Sequence, residues 1–361
     1  MNLLLFIFII VFWYYINRNN TKSVNKYNLV IGIVVLLLAG LRNEAIYGDT
    51  ILYVDRFIDL GDFPIEYIPI EFPKDPTFYI ASHYLSILFN GEYTYWLMLI
   101  SAIYIIPLTF LIKRYSWNPM YSWSVFIFIG LYTFIMAGLR QTAAMGLILL
   151  GFLLLMKRKD IFYFLCIVLA YLLHGPALIG LLIYPFVKFD IKLNSKTFIF
   201  YVALFGILLV YGDTLMANTI DALSEQDARF ANYAAQTKSA TWTYFLQQFI
   251  IVIPSLYVLQ DKLHEREYSL FANLSIIGLI FVSLSPIFAE MFRLSMYFSW
   301  ADMILFAAAM RKYDKTDIPY LYLIFFFVYL TFINKTLLQE YFFWFEDTEE
   351  YIRTNFEWIE I

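Results

Sequence analysis

Charge is scarce in this chain. Of its 361 residues only 15% are Asp, Glu, Lys or Arg, while 61% are hydrophobic and 21% aromatic. A soluble core of that length has no room for so much apolar surface, so the composition predicts a polytopic membrane protein of the all-α class. Cysteine is nearly absent: Cys166 stands alone, which excludes an intrachain disulfide and a cysteine-rich metal site. There is no DxD-like carboxylate pair, no Cys/His cluster and no phosphate-binding glycine loop, so no metal, nucleotide sugar or other cofactor is expected. A net charge of -4 carries no polyanion-binding signature, and nucleic acid is not an expected partner. The first apolar run, Leu3 to Tyr15, lacks a basic lead and a small-residue cleavage site, and is expected to stay as a helix.

What is present is a series of long apolar runs. A helix needs roughly twenty apolar residues to cross a bilayer, and somewhat fewer where aromatic or snorkelling residues extend its ends. On that basis about twelve spans are expected, near 3–17, 27–41, 92–112, 119–137, 141–156, 161–173, 175–187, 197–212, 241–260, 268–287, 291–310 and 318–335. Basic residues cluster in alternate connections: Arg18, Lys22 and Lys26; Lys113 and Arg114; Lys157, Arg158 and Lys159; Lys188, Lys192 and Lys196; Lys262 and Arg266; Arg311, Lys312 and Lys315. By the positive-inside rule these connections are cytoplasmic.

The opposite connections then face outward and carry most of the acid. Residues 42–91 are read as an outer loop holding Glu44, Asp49, Asp55, Asp59, Asp62, Glu66, Glu71 and Asp75. The loop closes with the aromatic stretch TFYIASHYLSILFN, expected to lie as a helix at the outer interface. Residues 213–240 form a second outer loop and 336–361 an acidic outer tail, so residues 1–361 make a single transmembrane domain.

Few basic residues remain on the outer side, and several sit where a helix meets the boundary. These are Arg42, Arg140 and Arg293, with His174 at a comparable depth. A single such arginine has an ordinary explanation in snorkelling to headgroups, and His174 in a satisfied helix break beside Gly175 and Pro176. Three arginines from separated parts of the chain, against a bias that disfavours them, point instead to a shared outward cavity. Arginine's fixed fork of donors grips phosphate oxygens in pairs, so the ligand class is a phosphate or diphosphate. Asp49 and Glu290 are candidate counter-ions or proton acceptors, Glu290 being three residues from Arg293 on one helical face. His174 ranks first as a base because its ordinary pKa lies near neutrality. Asp302, deeper in its run, is expected to hydrogen-bond within the bundle; the other reading is a proton relay.

At these residues the chain resembles a known family. The segments AGLR, GDTILYVDRF, AGLRQTAAMGLILL, HGPALIGLL and FRLSMYF occur in the order typical of the EpsG family of bacterial polysaccharide polymerases, related in function to Wzy O-antigen and capsule polymerases. The resemblance runs from about Gly40 to Tyr297. It implies a GT-C-like, metal-independent glycosyltransferase that works on undecaprenyl diphosphate-linked repeat units at the outer face of the bacterial plasma membrane. Donor and acceptor glycans on that carrier, the lipid bilayer and a chain-length regulator would be its partners. By motif, Arg42, Asp49, Tyr53, Arg140, Gln141, His174, Arg293 and Tyr297 are the matching positions, with Asp49, Arg140, His174 and Arg293 in the catalytic roles. Arg42, Tyr53, Gln141, Glu290 and Tyr297 would bind substrate. Tyr47-Gly48 departs from the family's usual glycine and small hydroxyl residue before Asp49.

Two other readings use the same residues. An O-antigen ligase would need the same diphosphate clamp and base, and a deletion strain separates the two: loss of a polymerase leaves single repeat units, whereas loss of a ligase leaves polymer on its carrier. A flippase or other transporter would place charged groups along a path through the bundle, whereas here only Asp302 lies deep.

The distribution of lysine and arginine makes a topology prediction. A cysteine placed at Asp62 or Asn232 should react with an impermeant thiol reagent applied to intact cells, and one at Ser195 should not. Labelling at Ser195 alone would reverse the orientation.

Overall fold

A computed structural model describes residues 2–19, 23–46, 48–194, 196–203, 205–207, 241–285 and 290–333, together with 343 and 346. Among these residues the chain is all-helical, with one isolated bridge between Arg42 and Phe343. The expected outer loop 213–240, Tyr47, and the tail 336–361 apart from residues 343 and 346 lie outside the described residues.

The chain forms two compact units. The first comprises residues 1–115, 130–181 and 320–361, and the second 116–129 and 182–319. In the first unit the helices are α1 (Asn2–Asn19), α2 (Val24–Gly40), α3 (Gly48–Leu60), α4 (Ile68–Glu71), α5 (Pro76–Phe89) and α6 (Tyr93–Tyr115). After α7 (Pro119–Phe128), which belongs to the second unit, follow α8 (Leu131–Ala137), α9 (Leu139–Leu155) and α10 (Asp160–Leu173). A 3-10 helix, Gly175–Leu182, comes next.

Each apolar run expected to span is mostly helical where it is described, with turns at residues 129–130 and 297–298 breaking the runs 119–137 and 291–310. By length and composition one helix, α6, is sufficient to cross a membrane, and a second crossing is added if the bent pair α7 and α8 counts as one span; other apolar helices are shorter, at 10–17 residues. The surface of α10 fits a hydrocarbon surrounding: Ile161, Phe162, Leu165, Val168 and Leu169 are exposed while Tyr163, Cys166, Ile167 and Ala170 are buried. In water such a continuous apolar stripe would be an aggregation hazard.

The expected outer loop is mostly helix. α3, α4 and α5 fold over a cluster of Val54, Phe57, Leu60, Ile68, Phe78, Tyr79 and Trp96. Phe57 stacks on Trp96 at 4.5 Å and Phe72 on Tyr79 at 4.2 Å. The interfacial stretch of the sequence reading is α5, and it ends where Asn90 takes a left-handed conformation and the Gly91 amide closes on the Ser86 carbonyl at 2.9 Å.

Packing within the first unit relies on small residues. α9 crosses α6 so closely at Gly146 that a methyl group there would lie 2.6 Å from the Ile103 carbonyl carbon and 2.8 Å from the Tyr104 amide nitrogen. In the second unit α7 packs on the helix Ser299–Met310, which in turn packs with the helices Thr241–Val258 and Arg266–Ser283. Buried amides and hydroxyls tie them together. Gln247 donates to the Phe128 carbonyl at 2.7 Å, Gln248 to the Ser299 hydroxyl at 2.6 Å, and Ser122 to the Met303 carbonyl at 3.1 Å. Asp302 is buried on the helix Ser299–Met310, and among the described residues neither of its carboxylate oxygens has a hydrogen-bond partner, so the bonding within the bundle expected of it is not seen.

Gly146→Ala should therefore destabilise the protein by about 1–3 kcal/mol, since backbone cannot swing aside as a side chain does. The check is thermal unfolding of purified protein in detergent, with Gly206→Ala as control because nothing lies within 4 Å of a methyl there. Equal stability for Gly146→Ala and wild type would refute the close crossing.

Candidate functional site

Arg140 stands in a long apolar stretch because the stretch is broken just before it. α8 ends at Ala137, Gly138 leaves the helical region at φ -91° and ψ 64°, and α9 begins at Leu139. Arg140 is thus the second residue of a new helix, at the unit's rim, with its side chain 18% exposed. Its backbone is helical while its charge leaves the bundle sideways.

Every part of the first unit that reaches this guanidinium brings it a polar or aromatic group. From α3, the Tyr53 hydroxyl accepts from Nε at 3.1 Å. From the connection between α4 and α5, the Lys74 carbonyl accepts from Nη1 at 3.2 Å and the Asp75 carboxylate accepts from the same nitrogen at 3.1 Å. The guanidinium also lies over the Tyr53 and Tyr79 rings, 5.9 and 5.7 Å from their centroids. The second oxygen of Asp75 accepts from the Gly175 amide at 2.9 Å. Asp75 therefore joins Arg140 to the turn immediately after His174.

That turn follows from its sequence. The Leu173-His174-Gly175-Pro176 order ends α10, because proline cannot supply the next helical N–H, and His174 turns to an extended conformation at φ -156° and ψ 105°. His174 is 8% exposed, and its carbonyl accepts from the Ala177 amide at 2.9 Å. Tyr53 is nearly buried; burial pushes its phenol above the ordinary range, and the Arg140 charge pulls partly the other way. It stays protonated across the physiological range, as a neutral partner for the guanidinium.

Of the sequence-predicted residues, the structure brings Tyr53 and Arg140 into one network, which extends through Asp75 to the Gly175 amide, next to His174 in the chain. Gln141, beside Arg140, points into the core and is 3% exposed. Asp49 lies exposed in the first turn of α3, near enough for its charge to bear on Tyr53. Arg42 is wholly buried, and its guanidinium donates to the Ala39 carbonyl and to the Met136 carbonyl, the latter at 2.7 Å. Arg293 and Tyr297 belong to the second unit. Arg293 lies on the short helix Glu290–Met296, and Tyr297 is buried just beyond it with its carbonyl accepting from the Trp300 indole at 2.7 Å.

Two site residues escaped the sequence reading, Asp75 and Tyr79. The candidate counter-ions from the sequence are Asp49 and Glu290, whereas the carboxylate paired with Arg140 in the structure is Asp75. Its signal was the Asp-Pro pair at the head of α5, which marked a helix start and said nothing about a partner 65 residues away.

A family model described as the EpsG family matches residues 25–348. No curated protein and no solved structure matches the chain.

The network makes a stability prediction. Tyr53→Phe keeps the ring over Arg140 and loses only the hydroxyl, so it should cost about 1.5–3 kcal/mol, the range for a bond to a charged group. Asp49→Asn, at an exposed position, should stay within about 0.5 kcal/mol of wild type. Thermal unfolding of the purified variants checks both, and the reverse order would contradict the network.

Proposed function

Because the chain belongs to the EpsG family, a Wzy-type polysaccharide polymerase family of membrane proteins, we propose that it joins undecaprenyl diphosphate-linked oligosaccharide repeat units into a surface polysaccharide at the outer face of the plasma membrane. The observation that carries this reading is the Arg140 network, in which one guanidinium and one backbone amide converge on a single anion beside His174. In this reaction the hydroxyl of a fresh repeat unit attacks the anomeric carbon of the growing chain. A new glycosidic C–O bond forms, the anomeric C–O bond to the lipid diphosphate breaks, and the diphosphate leaves with the bonding electron pair. Arg140 stabilises the charge that develops on that leaving group, from a position already fixed by Tyr53 and Tyr79. His174 accepts the proton of the attacking hydroxyl. The energy comes from the donor's own diphosphate linkage, and neither step calls for a metal.

Arg293, carried over from the motif order, is proposed as a further contact to the lipid-linked substrate, and Asp49 as a group at the rim that orients the acceptor, while the buried Tyr297 acts as support. Arg42 enters the proposal only as support, since it is wholly buried and both its terminal nitrogens donate to main-chain carbonyls.

Arg140→Lys is the decisive substitution. It keeps the charge, but one ammonium cannot serve Tyr53 and an anion in the fixed geometry of the fork. Loss of one charge-assisted contact, on the order of 1.5–3 kcal/mol, should lower polymer formation by about ten- to a hundredfold. Each variant is expressed at matched membrane level in a deletion strain and lipid-linked glycans are resolved on gels. Accumulated single repeat units are expected; near-normal polymer would overturn the role of Arg140.

A further inference from the structure

The fork of Arg140 is already occupied by the protein itself. Its Nε faces Tyr53, and its Nη1 faces both the Lys74 carbonyl and the Asp75 carboxylate. An arginine binds a phosphate edge-on through Nη2 together with either Nε or Nη1, and on the Nη1 edge a ligand has to replace Asp75. Asp75 is seated as such a ligand would be. One oxygen is on the guanidinium and the other on the Gly175 amide, and a carboxylate and a phosphate edge have similar oxygen spacing.

Asp75 is also held away from its ordinary place. It is the N-cap residue of α5, followed by Pro76 at the first helical position, the arrangement in which an aspartate normally accepts from the helix's leading amides. Here its side chain makes no capping bond, and its backbone sits in the left-handed region at φ 60° and ψ 50°. A non-glycine residue is strained there, whereas a capping residue is usually extended. The residue thus has a second conformation built into its own helix start. Turning to extended φ would relieve the strain, carry the carboxylate off Arg140 and Gly175, and set it on the amides of Thr77 and Phe78. The short connection Phe72 to Asp75 has no regular structure to resist that movement.

We infer that Asp75 is an internal stand-in for a phosphate, a strap that closes the Arg140–Gly175 cradle and leaves it for the cap of α5 when a phosphate or diphosphate group enters. The inference rests on the proposed diphosphate-binding role of Arg140 and adds two parts to it, the Gly175 amide as a ligand donor and Asp75 as the group displaced. Apparent affinity is then lowered by the fraction of molecules whose strap is closed.

The test uses purified full-length protein, titrated calorimetrically with inorganic diphosphate in detergent and with undecaprenyl diphosphate in nanodiscs. The two probes separate free from lipid-borne phosphate. Asp75→Asn keeps the capping ability and the tolerance of left-handed φ but loses the charge, so it should bind diphosphate about tenfold more tightly than wild type. Combining it with Arg140→Lys should remove the gain. Unchanged or weaker binding by Asp75→Asn with both probes overturns the strap. Should that variant fail to fold, Asp75→Ser, also a cap former, takes its place with the same expected sign. Hydrogen exchange on wild type provides an independent check: saturating diphosphate should increase protection of the Thr77 amide, since the Phe78 amide is already bonded to the Asp75 carbonyl at 3.1 Å, and no change at Thr77 also overturns it. Tighter binding by Asp75→Asn together with normal polymer from Arg140→Lys would leave the strap standing and remove the polymerase role of the site. Loss of polymer in Arg140→Lys with unaltered diphosphate affinity in Asp75→Asn would do the opposite.

Discussion

The pairing of Arg140 with Asp75 is the constraint around which the first unit is arranged. A guanidinium with 18% of its side chain exposed and a carboxylate with 8% are both largely out of water. Neither would be tolerated there alone, because a buried charge without a partner costs several kcal/mol. The pair requires a helix break at Gly138 to bring the arginine out, a left-handed residue at the head of α5 to aim the aspartate, and the His174 turn to offer an amide for its second oxygen. Tyr53 and Tyr79 fill the remaining sides with rings that suit a flat cation. α3, α5, α9 and the end of α10 are thereby tied together at one point, from four separate stretches of chain.

Such a site is preorganised in a specific sense. The positive charge is fixed before any ligand arrives, its direction set by Tyr53 and its depth by the ring faces, so the proposed stabilisation of a leaving diphosphate would need little rearrangement of the arginine itself. What has to change is the identity of the anion it faces. Exchange of one anion for another avoids a bare buried cation at any stage, and that is the costly alternative in a poorly hydrated place.

The helical order was legible in the sequence because apolar runs and basic clusters mark helices and their ends strongly. Arg140 and His174 were legible for a related reason: in a chain with so few charges, each one inside an apolar context stands out. Asp75 was not. It is one of eight acids between residues 42 and 76, and nothing in its neighbourhood distinguishes it from Asp49 or Asp62. Only the fold selects it, by bringing residues 65 and 100 positions away onto its two oxygens. The acidic segment also looked like a loop because its charge masked the apolar face of α3, whose Val54, Phe57 and Leu60 enter the core.

The tetrapeptide AGLR makes the same limit concrete, since it occurs twice with opposite outcomes. At Ala39 to Arg42 it ends α2, and no helix resumes at once. The last carbonyls of a helix lack partners and carry the negative end of its dipole, so Arg42 folds back onto Ala39 and reaches Met136, near the end of α8. One buried arginine thereby serves two helix C-termini. At Ala137 to Arg140 the same four residues end α8 but α9 starts at the leucine, so the arginine lies in a first turn, where carbonyls point away from it. Its guanidinium finds no helix end to satisfy and turns to the tyrosines and the carboxylate brought by α3 and α5. What decides whether this motif's arginine caps helix ends or stands as a charge at the rim is therefore whether a helix begins within it, and that depends on residues beyond the four.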